Sequence, residues 1–225
     1  MRLSRQELTH MIDHTLIRPA ATKKEVIKLC REAKKYRFSC AVVNPYFVSL
    51  ARNELKASSV KVCSTVGFPI GATLPEVKAK EARKAVELGA EELDMVMNVS
   101  AFKSGDYEAV KKDIEAVVDV KDLNPNIIVK VIIETGFLTD KEKSVACRLV
   151  KEAGADFVKT STGLFGGGAT VEDIKLMRRA VGKEMGVKAA GGIRTLKDAY
   201  AMIEAGANRI GTSTAIKIIE EMPKQ

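Results

Sequence analysis

Three observations predict that this chain is an α/β protein closed into a TIM (β/α)8 barrel. A helix end, a glycine and a strand recur three times, as Glu87-Leu88-Gly89-Ala90-Glu91-Glu92-Leu93-Asp94, Glu152-Ala153-Gly154-Ala155-Asp156-Phe157-Val158-Lys159 and Glu204-Ala205-Gly206-Ala207-Asn208-Arg209-Ile210-Gly211. Each glycine suits the left-handed position that ends a helix. Short β-prone runs alternate with amphipathic helical periodicity, which demands a parallel sheet. Polar residues gather where the strand runs end and no GxGxxG opens the chain, so a closed barrel is favoured over a doubly wound sheet.

Taken in order, residues 1–10 read as a short preceding helix and Met11-Ile12-Asp13-His14-Thr15 as the first strand. Helices near 22–36, 45–56 and 74–88 then lead into strands near 38–43, 59–64 and 91–97. Helices near 105–121, 139–153 and 170–181 lead into strands near 127–134, 156–161 and 186–190. One near 195–205 precedes the last strand, near 208–212, and a helix near 213–221 follows it. The expected eight strands fit a chain of 225 residues, toward the short end of the barrel range. Flexible or Pro/Ser-rich boundaries are not evident, so residues 1–225 read as a single domain.

With 46% hydrophobic residues the chain can bury a sizeable core. No apolar run approaches the roughly 20 residues needed to span a bilayer, and Met1-Arg2-Leu3-Ser4-Arg5-Gln6-Glu7 lacks the apolar core of a secretory signal, so no membrane partner and a cytoplasmic location are expected. Cys30, Cys40, Cys63 and Cys147 form no CxxC pair and read as reduced packing residues. His10 and His14 are the only histidines, too few for a histidine metal site or a serine/histidine hydrolase. A net charge of +8 could attract nucleic acid. Its distribution argues against that, because Lys78, Lys80, Lys84, Lys111 and Lys112 alternate with Glu76, Glu81, Glu87, Asp113 and Glu115 as on solvated helix faces.

The chemistry lies in lysines placed where lysine is costly. Val158-Lys159-Thr160-Ser161-Thr162-Gly163 and Val187-Lys188-Ala189-Ala190-Gly191-Gly192 each set a lysine in a buried strand that runs into a glycine loop. Period-two alternation puts Asp94, Val96 and Asn98 on one side of the fourth strand, and Lys130, Ile132 and Glu134 on one side of the fifth. It likewise groups Phe157, Lys159 and Ser161 in the sixth, and Lys188 and Ala190 in the seventh. The charged members are expected inward, since helices cover the outward face. Lys159 and Lys188 then sit on neighbouring strands about 4.8 Å apart, and a cationic neighbour lowers the pKa of one of them. A nucleophilic amine, a second amine and Asp94 suit imine chemistry. The bland alternative is a buried salt-bridge network of Lys130, Lys159, Lys188, Asp94 and Glu134, a weak device for stability. Asp13 could join the proton network or serve as a turn or capping residue.

Gly191-Gly192 after the seventh strand and Gly211-Thr212-Ser213-Thr214 after the eighth occupy the loops where barrels commonly bind phosphate. The alternative is that the glycines serve tight turns and Ser213 is an N-cap. Gly166-Gly167-Gly168 either flexes over a ligand or only links strand to helix.

Over nearly its whole length the chain resembles the deoxyribose-phosphate aldolases, class I aldolases on a TIM barrel. The resemblance rests on Asp13-His14-Thr15-Leu16, Glu92-Leu93-Asp94-Met95-Val96, Lys130-Val131-Ile132-Ile133-Glu134-Thr135-Gly136, Lys159-Thr160-Ser161-Thr162-Gly163, Lys188-Ala189-Ala190-Gly191-Gly192-Ile193-Arg194 and Gly211-Thr212-Ser213. It implies reversible cleavage of 2-deoxy-D-ribose 5-phosphate to acetaldehyde and D-glyceraldehyde 3-phosphate, with no metal and no organic cofactor. Lys159 would form the Schiff base, Lys188 perturb it, Asp94 act as acid/base with a bound water, and Asp13 join the proton network. Substrate and phosphate contacts would fall to Gly163, Gly191, Gly192, Gly211, Ser213 and Lys130. A dimer or tetramer is common in such proteins, so a homo-oligomer is expected.

Two departures stand out. The chain ends Glu221-Met222-Pro223-Lys224-Gln225, without the C-terminal tyrosine of some relatives, and Leu164 stands where some have a lysine. Phosphate binding is then expected to lean on backbone amides, Ser213 and Arg194. The nearest rival reading is a Schiff-base aldolase for another sugar phosphate; the rival from another class is a non-catalytic phosphate or nucleic-acid binder.

Overall fold

The structure is a computed structural model that describes residues 3–223. Lys224 and Gln225, the end of the tail compared above, lie outside the described residues, as do Met1 and Arg2 of the expected first helix. The remaining part of that helix is α1 (Arg5–His10), started by a capping box in which Ser4 accepts from the Glu7 amide and the Glu7 carboxylate accepts from the Ser4 amide.

The strands are β1 (Ile12–Leu16), β2 (Cys40–Val43), β3 (Lys61–Val66), β4 (Glu92–Val96), β5 (Ile128–Ile132), β6 (Phe157–Lys159), β7 (Gly186–Ala190) and β8 (Arg209–Thr212). They form one closed parallel barrel in sequence order, sealed by pairing of β1 with β8. Between and after them run α2 (Lys23–Tyr36), α3 (Val48–Glu54), α4 (Pro75–Glu87), α5 (Val99–Lys103), α6 (Tyr107–Val118), α7 (Asp140–Glu152), α8 (Val171–Val181), α9 (Leu196–Glu204) and α10 (Ala215–Glu220). The TIM barrel expected from the alternation is therefore the observed fold.

Local signals explain the boundaries. Capping boxes start α2 at Thr22/Glu25, α7 at Thr139/Glu142 and α9 at Thr195/Asp198. The three repeated glycines all take positive φ, 104° at Gly89, 78° at Gly154 and 116° at Gly206, a conformation that side chains resist. Leu93, Met95 and Met97 join the apolar layer under the helices, as alternation required.

The structure corrects four expectations. Asn98 does not extend the inward row of β4; the strand stops at Val96, and Asn98 caps the unanticipated α5 by accepting from the Ala101 amide. The helix expected near 105–121 ends at Val118 and continues as a single 3-10 turn. Glu134 lies beyond β5 with φ 52°, so the inward row ends at Ile132. Lys78 and Asp113 are not on solvated faces: both are buried, and Lys78 Nζ lies 2.6 Å from Asp113 Oδ2 and donates to the Val96 carbonyl at 2.8 Å. Charge spacing along α4 and α6 could not reveal this, because the partner belongs to another helix.

Candidate active site

Alternation on the inner face brings charged side chains to a common axis. Lys159 and Lys188 are paired residues in the β6–β7 register, and Asp94 faces Lys130 in the β4–β5 register. Asp94 is the hub. Its Oδ2 lies 2.6 Å from both Lys159 Nζ and Lys188 Nζ, and its Oδ1 lies 3.0 Å from Lys130 Nζ and accepts from the Cys63 thiol at 3.3 Å. Asp13 joins from β1, with Oδ2 2.6 Å from Lys188 Nζ and Oδ1 2.7 Å from Arg209. Beneath them Glu92 Oε2 meets Lys130 Nζ at 2.6 Å and Arg209 at 3.3 Å.

Gly211 makes room for this arrangement. A Cβ there would stand 3.1 Å from both Lys188 Cε and Ala190 Cβ, so the backbone of β8 leaves the path of the Lys188 side chain clear.

The electrostatics divide the lysines. Burial lowers the pKa of Lys159, helped by the charge of Lys188 and opposed by Asp94. For Lys188 burial acts the same way, yet Asp13 and Asp94 together outweigh it and raise its pKa. Lys130 is also raised, by Asp94 and Glu92 against burial. Asp94 is held well below the usual carboxylate range, since its three lysines overcome the burial that would raise it. The expected difference between the two lysines is present: burial is the largest cause lowering both, the charge of Lys188 adds to it at Lys159, and a second carboxylate, Asp13, helps Asp94 reverse it at Lys188.

Only Lys159 of these lysines lines the open cavity, which measures about 550 Å³. Gly163, Leu164, Gly191, Gly192, Arg194, Gly211 and Ser213 also line it, so the expected phosphate loops share one space with the lysine. The three loops are tied together: Thr160 and Ser161 donate to the Ala190 carbonyl at 2.8 and 2.7 Å, the Ala169 amide to Gly191 at 3.0 Å, and the Thr212 hydroxyl to Ile193 at 2.8 Å. Gly191 takes φ 94°, and a Cβ there would fall 2.7 Å from Ser161 Oγ, so this close approach excludes a side chain. Gly166-Gly167-Gly168 crosses beside Gly136 and Gly191 and links β6 to α8. Thr214, rather than Ser213, holds the N-cap position of α10.

Two expectations change. Lys130, expected among the substrate contacts, is fully buried and does not line the cavity; its Nζ lies 3.0 Å from Asp94 Oδ1. Glu134 stands outside the ion network and accepts from the Thr162 amide at 3.1 Å, bracing the loop after β6. Glu92 and Arg209 were not singled out in the sequence, although Glu92 sits two residues before Asp94, an inward position already identified. His14 and Thr15 also line the cavity; the His14 ring lies against Phe38 and its Nε2 is 2.9 Å from Glu32.

Asp13, Cys40 and Glu92 bring their ligand atoms within 4.8 Å of one another, the one such cluster among the described residues. Arg209 occupies the same ground, in contact with all three, and fills the role a cation would have.

The chain matches the family described as DeoC/LacD family aldolase over residues 8–220. It is 60% identical over 217 residues to a deoxyribose-phosphate aldolase of Thermoanaerobacter sp. (strain X514), covering 96% of this chain and 97% of that protein. It is 61% identical over 216 residues to one of Thermococcus gammatolerans, covering 95% and 96%. Among solved structures, a putative deoxyribose-phosphate aldolase from Coccidioides immitis superposes with TM-score 0.93 at 41% identity, covering 97% of this chain and 87% of that one. The tetrameric deoxyribose phosphate aldolase from Aeropyrum pernix superposes with TM-score 0.90 at 39% identity, covering 96% and 91%.

Proposed function

The chain belongs to the DeoC/LacD family of aldolases, and from that premise we infer how its buried lysines carry out the reaction. Its activity is that of a deoxyribose-phosphate aldolase, a carbon–carbon lyase acting on 2-deoxy-D-ribose 5-phosphate. Lys159 is the nucleophile. One observation carries this assignment: of the lysines gathered around Asp94, it alone both lines the cavity and has its pKa lowered.

The steps follow from that amine. Lys159 Nζ adds to the C1 aldehyde, and loss of water gives an imine whose positive nitrogen is an electron sink. A base removes the proton of the C3 hydroxyl, the C2–C3 electron pair moves into the sink, and glyceraldehyde 3-phosphate leaves. The remaining enamine takes a proton at C2, and water then releases acetaldehyde and the free amine. Ionised Asp94, whose Oδ2 lies 2.6 Å from both lysines, is the proposed base, taking the C3 hydroxyl proton through a water. Lys188 stays cationic between Asp13 and Asp94 and favours the neutral form of Lys159.

Phosphate binding falls to the loops after β6, β7 and β8, through backbone N–H groups at Gly163, Gly191, Gly192 and Gly211, the Ser213 hydroxyl and Arg194. We also propose that residues 1–225 act as one unit, that the chain assembles as a homo-oligomer, and that it works in the cytoplasm. A tetrameric relative supports the second and four free, buried cysteines the third. Among the described residues no helix is long and apolar enough to cross a membrane.

The test is borohydride reduction in the presence of deoxyribose 5-phosphate, followed by peptide mass mapping. The adduct is expected on Lys159 and absent from Lys159→Ala; an adduct on Lys188 would overturn the assignment.

A further inference from the structure

We propose that Glu92 and Arg209, on the floor of the barrel, are positioning residues that keep the Lys159 amine unprotonated by making the rest of the buried network electrically neutral. The inference deepens the assignment of Lys159 as nucleophile and rests on it.

Every strand contributes to the network. Asp13 comes from β1, Cys40 from β2, Cys63 from β3, Glu92 and Asp94 from β4, Lys130 from β5, Lys159 from β6, Lys188 from β7 and Arg209 from β8. Burial drives both thiols toward the neutral form. Glu134 is turned away toward the Thr162 amide. What remains is three carboxylates, Asp13, Glu92 and Asp94, against three cations, Lys130, Lys188 and Arg209, before Lys159 is considered. Their charges cancel. A proton on Lys159 would leave one uncompensated positive charge beside the buried Asp13, Glu92, Asp94, Lys130 and Lys188, where such a charge is costly.

Arg209 acts at a distance, through a line of contacts. It holds Asp13 Oδ1 at 2.7 Å, Asp13 Oδ2 holds Lys188 at 2.6 Å, Lys188 holds Asp94 Oδ2 at 2.6 Å, and that same oxygen holds Lys159 at 2.6 Å. Glu92 balances Lys130 and Arg209 together. Neither floor residue lines the cavity, so substrate does not meet them.

The signs of the effects are opposite and therefore testable. Arg209→Met leaves a surplus negative charge that a proton on Lys159 cancels, so the acid limb of kcat/KM moves to higher pH. Glu92→Gln leaves a surplus positive charge and moves the limb to lower pH. The double variant restores the balance.

The experiment measures kcat/KM against pH for deoxyribose 5-phosphate cleavage in the wild type and these three variants, with borohydride mapping on each. At the acid end about a tenfold loss is expected for Arg209→Met, a gain for Glu92→Gln, and a return toward wild type for the pair. Should Arg209→Met fail to fold, Glu92→Gln and the double variant still decide the sign. Adducts on Lys159 with limbs that stay put, or that move the same way in both single variants, overturn the charge balance alone. A wild-type adduct elsewhere overturns the nucleophile assignment instead.

Discussion

Lys78 in the helical layer and Lys159 at the barrel mouth are both buried side chains, and both have lowered pKa values with burial as the largest cause. Their partners differ. Lys78 meets one carboxylate, Asp113, whose own pKa burial raises, so desolvation pushes both members of that pair toward their neutral forms. Lys159 meets Asp94, which two further lysines keep ionised, and it opens onto a cavity. A buried lysine with a shifted pKa is thus no evidence of catalysis by itself. A lysine whose lowered pKa goes with contact to both an ionised carboxylate and open space is.

The largest effect that can break this comparison comes from removing each amine. Lys159→Ala is expected to lower kcat by at least ~10⁴-fold, because no other group supplies the imine. Lys78→Met should leave kcat within a fewfold of wild type. Steady-state assays on both proteins decide the matter, and equal losses would mean that the two sites are coupled. Next comes Asp94→Asn, which keeps the shape but removes the ionised oxygen shared by two lysines. It should lower kcat by ~10²–10³-fold, with retained far-UV circular dichroism as the control.

Stability reverses the ranking. Lys78→Met strands Asp113 and the Val96 carbonyl, and a loss of ~2–3 kcal/mol is expected. Adding Asp113→Asn should return at least half of that, because the amide oxygen still accepts from the Asn98 amide and no buried charge remains. Urea midpoints at constant m-value give the answer. A double variant as unstable as the single would mean that the pair attracts more strongly than burial penalises it.

What the sequence revealed follows the same division. Alternation of residues along β4, β6 and β7 was enough to place Asp94, Lys159 and Lys188 inward, since a barrel strand allows only two faces. The glycine loops after β7 and β8 were legible for a similar reason, as position in the fold decides what such loops face. Lys78 and Asp113 misled because helical charge patterning reports neighbours along one helix, while this pair joins α4 to α6 beneath the end of β4. Lys130 was placed on the correct face at the wrong depth, because alternation gives the direction of a side chain without saying how far below the mouth it ends.

The pH dependence sharpens the comparison further. Lys159 has a folded-state pKa below that of a free lysine, so its reactive neutral fraction grows as pH rises through that lowered value, and kcat/KM should climb on an acid limb. Lys188→Met removes a cation that lowers the Lys159 pKa and lets Asp94 attract a proton onto Lys159, so the limb should move to higher pH. About a tenfold loss is expected at its acid end, beyond any loss on the plateau. A limb moving to lower pH would sink the role given to Lys188.

The smallest expected effect belongs to Ser213, which faces the cavity but takes no part in the ion network. If access is what separates the barrel mouth from the Lys78 site, a residue with access alone should affect binding and leave chemistry untouched. Ser213→Ala removes one hydroxyl from the proposed phosphate cradle, so KM for deoxyribose 5-phosphate should rise about 5–10-fold, the worth of one hydrogen bond to a charged group, with kcat within twofold. Free 2-deoxyribose, lacking the phosphate, should show no change in KM. A loss in kcat on both substrates would place Ser213 in the chemistry and move the functional boundary from the amine out to the loops.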